Sequence, residues 1–147
     1  MRVSTVILFM KCQIDMNKKE QLMSMLQGMG YTPEYDEDGD IRMVYQMKHV
    51  CFLLQEDDEE NYLSVMLPQF ADVEEGEVSL SLAVCNKMTR ELKLAKVYVD
   101  HTFKAVTGVC EFFYANEESL EYSIRMSLRT IGVLRSLYLR TKKELTA

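Results

Sequence analysis

The chain has 147 residues, 48% hydrophobic and 27% charged, with a formal net charge of −6 and a pI near 5.0. That length fits one domain, and the composition is globular rather than disordered. The acidic balance argues against a nucleic-acid partner, which needs clustered Lys and Arg to displace counterions.

No stretch approaches the roughly 20 apolar residues of a membrane helix, so no membrane partner is expected. The four cysteines, Cys12, Cys51, Cys85 and Cys110, each sit in an apolar run and none belongs to a CxxC pair. Their number leaves two disulfides open, but the spacings form no framework. Reduced thiols in a cytoplasmic protein are the expectation.

At the start, "MRVSTVILFMKCQID" holds an apolar run, Val6 to Met10, too short for a signal peptide and followed by no cleavage site. The amphipathic pattern begins at Met16, which is an alternative start. Residues 1–15 are therefore read as an N-terminal extension and residues 16–147 as a single domain.

Lys18 to Met29 then reads as a helix, with Leu22, Met25, Leu26 and Met29 at helical spacing. Asn17 caps its start, and glycines at 28 and 30 end it. An extended run from Tyr31 to Tyr35 breaks at "DEDGD". "IRMVYQM" follows with Ile41, Met43, Tyr45 and Met47 on one face, then "HVCFLLQ" as the next strand. After the acidic turn "EDDEEN", "YLSVMLPQF" is a fourth extended run ending near Pro68.

The stretch Glu77 to Leu94 fits both periods, and helix is preferred because "NKMTREL" holds good helix formers. Asp72 with Glu75 resembles a capping pair for that helix. "KLAKVYVD" and "TFKAVTGVCEFFY" form a strand pair turning at Asp100 and His101. A long helix runs from a capping Asn116 to about Lys143.

The order α-β-β-β-β-α-β-β-α with short turns implies an α+β fold. Its sheet is antiparallel and twisted, with helices packed on it.

Candidate sites were weighed in turn. "EYDEDGDIRMVY" places Glu34, Asp36 and Asp38 at calcium-loop positions and Gly39 at the sharp turn, but Tyr45 stands where the bidentate Glu belongs. Asp-Gly between alternating runs is a hairpin signal, and a hairpin is the reading. His49 and Cys51 share a strand face without the further ligands a zinc site needs, and His49 is read as a half-buried strand residue. No motif supports a Cys–His catalytic pair. "GMGYTP" has a helix before the glycines, the reverse of a dinucleotide fingerprint. No catalytic residue, metal or cofactor is therefore assigned.

The last helix carries more information. Leu120, Ile124, Leu128, Ile131, Leu134 and Tyr138 make one apolar stripe for docking on the sheet. Tyr122, Met126, Val133 and Leu137 make a second, offset by roughly 120°. Arg125 and Arg129 lie beyond it, with Glu121 placed to pair with Arg125. A second stripe needs a second cover, from the same chain or from another protein.

"LMSMLQGMGYTPEYDEDGDIRMVYQ", "AVCNKMTRELKLAKVYVD" and the long final helix together resemble a YbjN-type protein, over roughly Met16 to Lys143. That family has the type III secretion chaperone-like fold. The resemblance implies a small acidic α+β domain that tends to dimerise. It also implies kinship in fold with chaperones that hold extended segments on an apolar surface. It carries over no catalytic residue.

The expected function is a non-enzymatic protein-interaction domain, chaperone-like or regulatory, forming a homodimer through Tyr122, Met126, Val133 and Leu137. The alternative is a small-ligand-binding regulatory domain with a pocket between sheet and helices.

Overall fold

The computed structural model describes residues 17–54 and 59–147. The N-terminal extension, the alternative start at Met16, Cys12 and most of the turn after Leu54 lie outside the described residues. The elements are α1 (Lys18–Gly28), β1 (Glu34–Tyr35), β2 (Ile41–Tyr45), β3 (Lys48–Leu53), β4 (Tyr62–Asp72), α2 (Val78–Glu91), β5 (Ala95–Val99), β6 (Ala105–Phe113) and α3 (Glu117–Thr146). This is the α-β-β-β-β-α-β-β-α order read from the sequence, and the fold is α+β.

The strands form one six-stranded sheet in the order β1-β2-β3-β4-β6-β5, and every neighbouring pair is antiparallel. After β4 the chain crosses through α2 to the far edge, and β6 then returns between β4 and β5. One face of the sheet carries the core. Ile41, Phe52, Val65 and Cys110 are directly opposed across four strands and all are buried. Leu22 and Leu26 of α1, Val84 and Met88 of α2, and the first stripe of α3 join them in a single cluster. This alternation, apolar inward and mixed outward, is what an antiparallel sheet covered on one side requires.

The "DEDGD" segment is the β1–β2 hairpin turn. Asp36 Oδ1 accepts from the backbone N–H of Asp38 and of Asp40, each at 2.9 Å. Gly39 takes φ +80°, and the Lys19 ammonium donates to its carbonyl at 2.8 Å. The carboxylate that a cation would need is committed to closing the turn.

Three local expectations are corrected. Met47 does not continue β2. Gln46 and Met47 both take positive φ (47° and 65°) as a two-residue turn between β2 and β3, and Met47 is 95% exposed. Such turns match the twist of paired strands, and here the pairing of Tyr45 with Lys48 imposes one on residues that rarely adopt it. Secondly, β4 does not end at Pro68. Its pairing with β6 shifts between Leu67 and Ala71, so the missing N–H of Pro68 falls within an irregularity and the ladder resumes to Asp72. Thirdly, Asp72 does not cap α2. It stays in the ladder opposite Ala105, and the N-cap is Glu77, without a side-chain cap bond.

Gly108 of β6 faces α3. A Cβ there would lie 2.4 Å from Leu134 Cδ1, inside van der Waals contact, and Leu134 is fully buried. Gly108→Ala should therefore lift α3 or force Leu134 off its rotamer. We expect a loss of about 1–3 kcal/mol in urea unfolding with the m-value retained. An unchanged midpoint would show that the contact relaxes freely.

Candidate interaction surface

α3 begins with a reciprocal cap. Asn116 Oδ1 accepts from Ser119 N–H at 2.9 Å, and Ser119 Oγ accepts from Asn116 N–H at 3.0 Å. This is the predicted cap, and it fixes the helical phase from the first turn. Six side chains then point inward as read from the sequence: Leu120, Ile124, Leu128, Ile131, Leu134 and Tyr138 are all buried. Tyr138 donates to Ser81 Oγ of α2 at 3.0 Å, and its ring meets Phe70 edge-on, with centroids 5.9 Å apart. Phe70 lies within the β4 irregularity.

The second stripe divides. Tyr122 is 65% exposed and Val133 51%, whereas Met126 and Leu137 are half-buried and Leu137 packs against the core. The structure thus brings Leu137 into the body of the domain and leaves Tyr122 and Val133 facing outward. Beside them Arg125 donates to Glu121 at 2.8 Å, the anticipated i,i+4 pair. α2 packs on the C-terminal part of α3, where Lys142 pairs with Glu77 at 2.7 Å and Tyr138 bonds Ser81.

On the opposite face of the sheet, a polar row joins three strands. Lys96 of β5 pairs with Glu111 of β6 at 2.8 Å, Tyr62 of β4 donates to the same carboxylate, and Ser64 lies next to the phenol. Sequence spacing gave no sign of it, because only the β4–β6–β5 pairing aligns the residues. The Lys96 ammonium and then the Tyr62 hydroxyl hold the Glu111 carboxyl below its ordinary range. The same carboxylate raises both Lys96 and Tyr62. Each group's titration is moved further from pH 7, the reverse of what general acid–base work needs. The row braces the open face.

The three described thiols are equally unsuited to nucleophilic work. Burial pushes Cys85 and Cys110 up to about 11, and it raises Cys51 as well, with Asp36 and Asp40 adding to the rise. The thiolate is then scarce at neutral pH. His49 is exposed rather than half-buried, because β3 turns its odd-numbered side chains to the uncovered face. Among the described residues, no group of three or more His, Cys, Asp or Glu could hold a metal ion.

Between sheet and helices, Leu26, Val50, Val65, Ile124 and Leu134 are fully buried, so that layer is packed with side chains. No observation there favours the ligand-pocket alternative. Among the described residues no helix is long and apolar enough to cross a membrane.

The Glu111 cluster yields a pH test. A carboxyl lowered in the fold contributes stability that is complete above its unfolded value, about 4.3. That contribution is lost as the pH falls through the lowered folded value. Glu111→Gln should melt below the parent at pH 7, and the gap should close as the solution is acidified past the carboxylate range. A gap independent of pH would mean that the row is held by shape and not by charge.

No protein-family model and no curated protein sequence matches the chain. Among solved structures it is similar to YbjN from E. coli, described as a candidate transcription regulator. The TM-score is 0.61, the identity 13%, and the match covers 85% of this chain and 91% of that one. At that identity the likeness speaks for architecture alone: the chain has the YbjN-type fold.

Proposed function

We propose that this chain is a non-enzymatic, cytoplasmic protein-interaction domain with a chaperone-like or regulatory role, working as a homodimer through the outer side of α3. Tyr122, Met126 and Val133 supply the contact, and Leu137 marks where that surface merges into the core. The observation that carries the reading is the exposure of Tyr122 and Val133 on a helix whose other side is fully buried.

Tyrosine offers a large, stiff contact area at low entropic cost, and methionine adapts to a partner's shape. A two-fold pairing would cover the same patch on both protomers. The likeness in fold to a candidate transcription regulator supports a regulatory use. The single core cluster supports one domain over residues 16–147.

The test uses two charge substitutions placed where they leave the core alone. Met126→Glu with Val133→Glu should convert a dimer to a monomer by light scattering at about 100 μM. Circular dichroism should be kept, and Tm should stay within a few degrees. Leu137→Glu, in contrast, should lower Tm strongly, because it places a charge against the core. A parent chain that is already monomeric, or a double variant that still dimerises, sinks the α3 interface.

A further inference from the structure

A second surface, built from residues other than those of the α3 patch, lies around the loop between β5 and β6. The five residues Asp100 to Lys104 between β5 and β6 are pinned by one side chain. Asp100 Oδ1 accepts from the backbone N–H and the hydroxyl of Thr102, and Oδ2 accepts from Gln69 Nε2 at 3.2 Å. Phe103 N–H donates to Asp100 O at 3.0 Å, and Val73 N–H to Lys104 O at 2.9 Å. The last bond ties this loop to the chain leading into α2.

Within that frame Phe103 holds φ +60° and is 57% exposed. A bulky L-residue in the left-handed region costs about 1–2 kcal/mol, where Gly or Asn fits with little strain. The fold gains little in return, since the ring stays largely in water.

The ring forms one wall of a groove of about 600 Å³, with Val73 and Val78 as its other apolar lining. Asp72, Glu74 and Glu75 line it with one cation, Lys104, and Lys142, paired to Glu77, stands near Glu74 outside the lining. None of the three acids forms an ion pair among the described residues. A preformed apolar slot with an anionic rim fits a segment that is apolar at its centre and cationic on its flanks.

We propose that this groove docks a short basic segment of a partner protein, with one apolar side chain laid against Phe103. The charge contrast selects that occupant over an acidic or purely apolar one. Because both walls are bonded together before binding, little ordering is left to oppose the contact.

Fluorescence anisotropy with a labelled peptide of alternating lysine and leucine tests this, beside a control with glutamate in place of lysine. The lysine peptide should bind at least about tenfold more tightly than the control, and more weakly as salt is raised. Phe103→Gly fits the backbone, so it should fold with an equal or higher Tm and bind at least about tenfold more weakly. Equal binding of both peptides, retained binding in Phe103→Gly, or no binding by about 1 mM each overturns the proposal. So does a parent dimer that Phe103→Gly splits into monomers, which would make the groove a contact between copies. The α3 substitutions Met126→Glu and Val133→Glu should leave peptide affinity unchanged, and a loss there also counts against a separate site.

Discussion

Leu134 occupies the space that a side chain on Gly108 would fill, and this one close approach sets the height of α3 above the sheet. Everything around it is scaled to that height. Tyr138, one turn further on, meets Phe70 edge-on and Ser81 through its hydroxyl, so helix, strand and neighbouring helix share one aromatic junction. A helix standing farther out would leave these polar and aromatic ends without partners, and buried hydroxyls are costly when unpaired. The height also fixes which side of α3 faces water. The outward position of Tyr122 and Val133 follows from core packing on the far side of the same helix.

The two faces of the sheet solve different problems. The covered face gathers apolar side chains from all three described helices into one cluster. The face away from the described helices carries the row of Lys96, Glu111, Tyr62 and Ser64, joined by mutual bonds. Such partly exposed charges contribute modestly to stability. Their larger effect is to make that part of the face a poor seat for an apolar partner, since covering the charges would cost desolvation.

Much of this was legible before any coordinates. The order of elements, the Asn116 cap, the buried stripe of α3 and the Glu121–Arg125 pair all depend on neighbours within a few residues, where periodicity and capping rules act. What escaped was set by partners distant in sequence. The turn at Gln46 and Met47 contains no glycine or asparagine, and only the pairing of β2 with β3 forces it. Pro68 reads as the end of a strand, yet β6 holds the chain extended beyond it. Leu137 looked equivalent to Tyr122 by spacing, yet it packs against the core while Tyr122 stays exposed. The strained Phe103 left no trace in the sequence, since only the bonds of Asp100 reveal the backbone it must adopt.

At the outer rim of the sheet, Thr89 of α2 places one hydroxyl against both main-chain groups of Val97. It donates to the carbonyl at 3.1 Å and accepts from the N–H at 3.0 Å. The middle of the last strand is thus already satisfied on the side where a further strand would have to bond. At the other rim, β1 is only two residues long. Among the described residues, the rims therefore offer a further strand only short stretches to pair with. A strand added at Val97 would first have to displace the Thr89 hydroxyl, so growth of the sheet at that rim is opposed by a single oxygen atom.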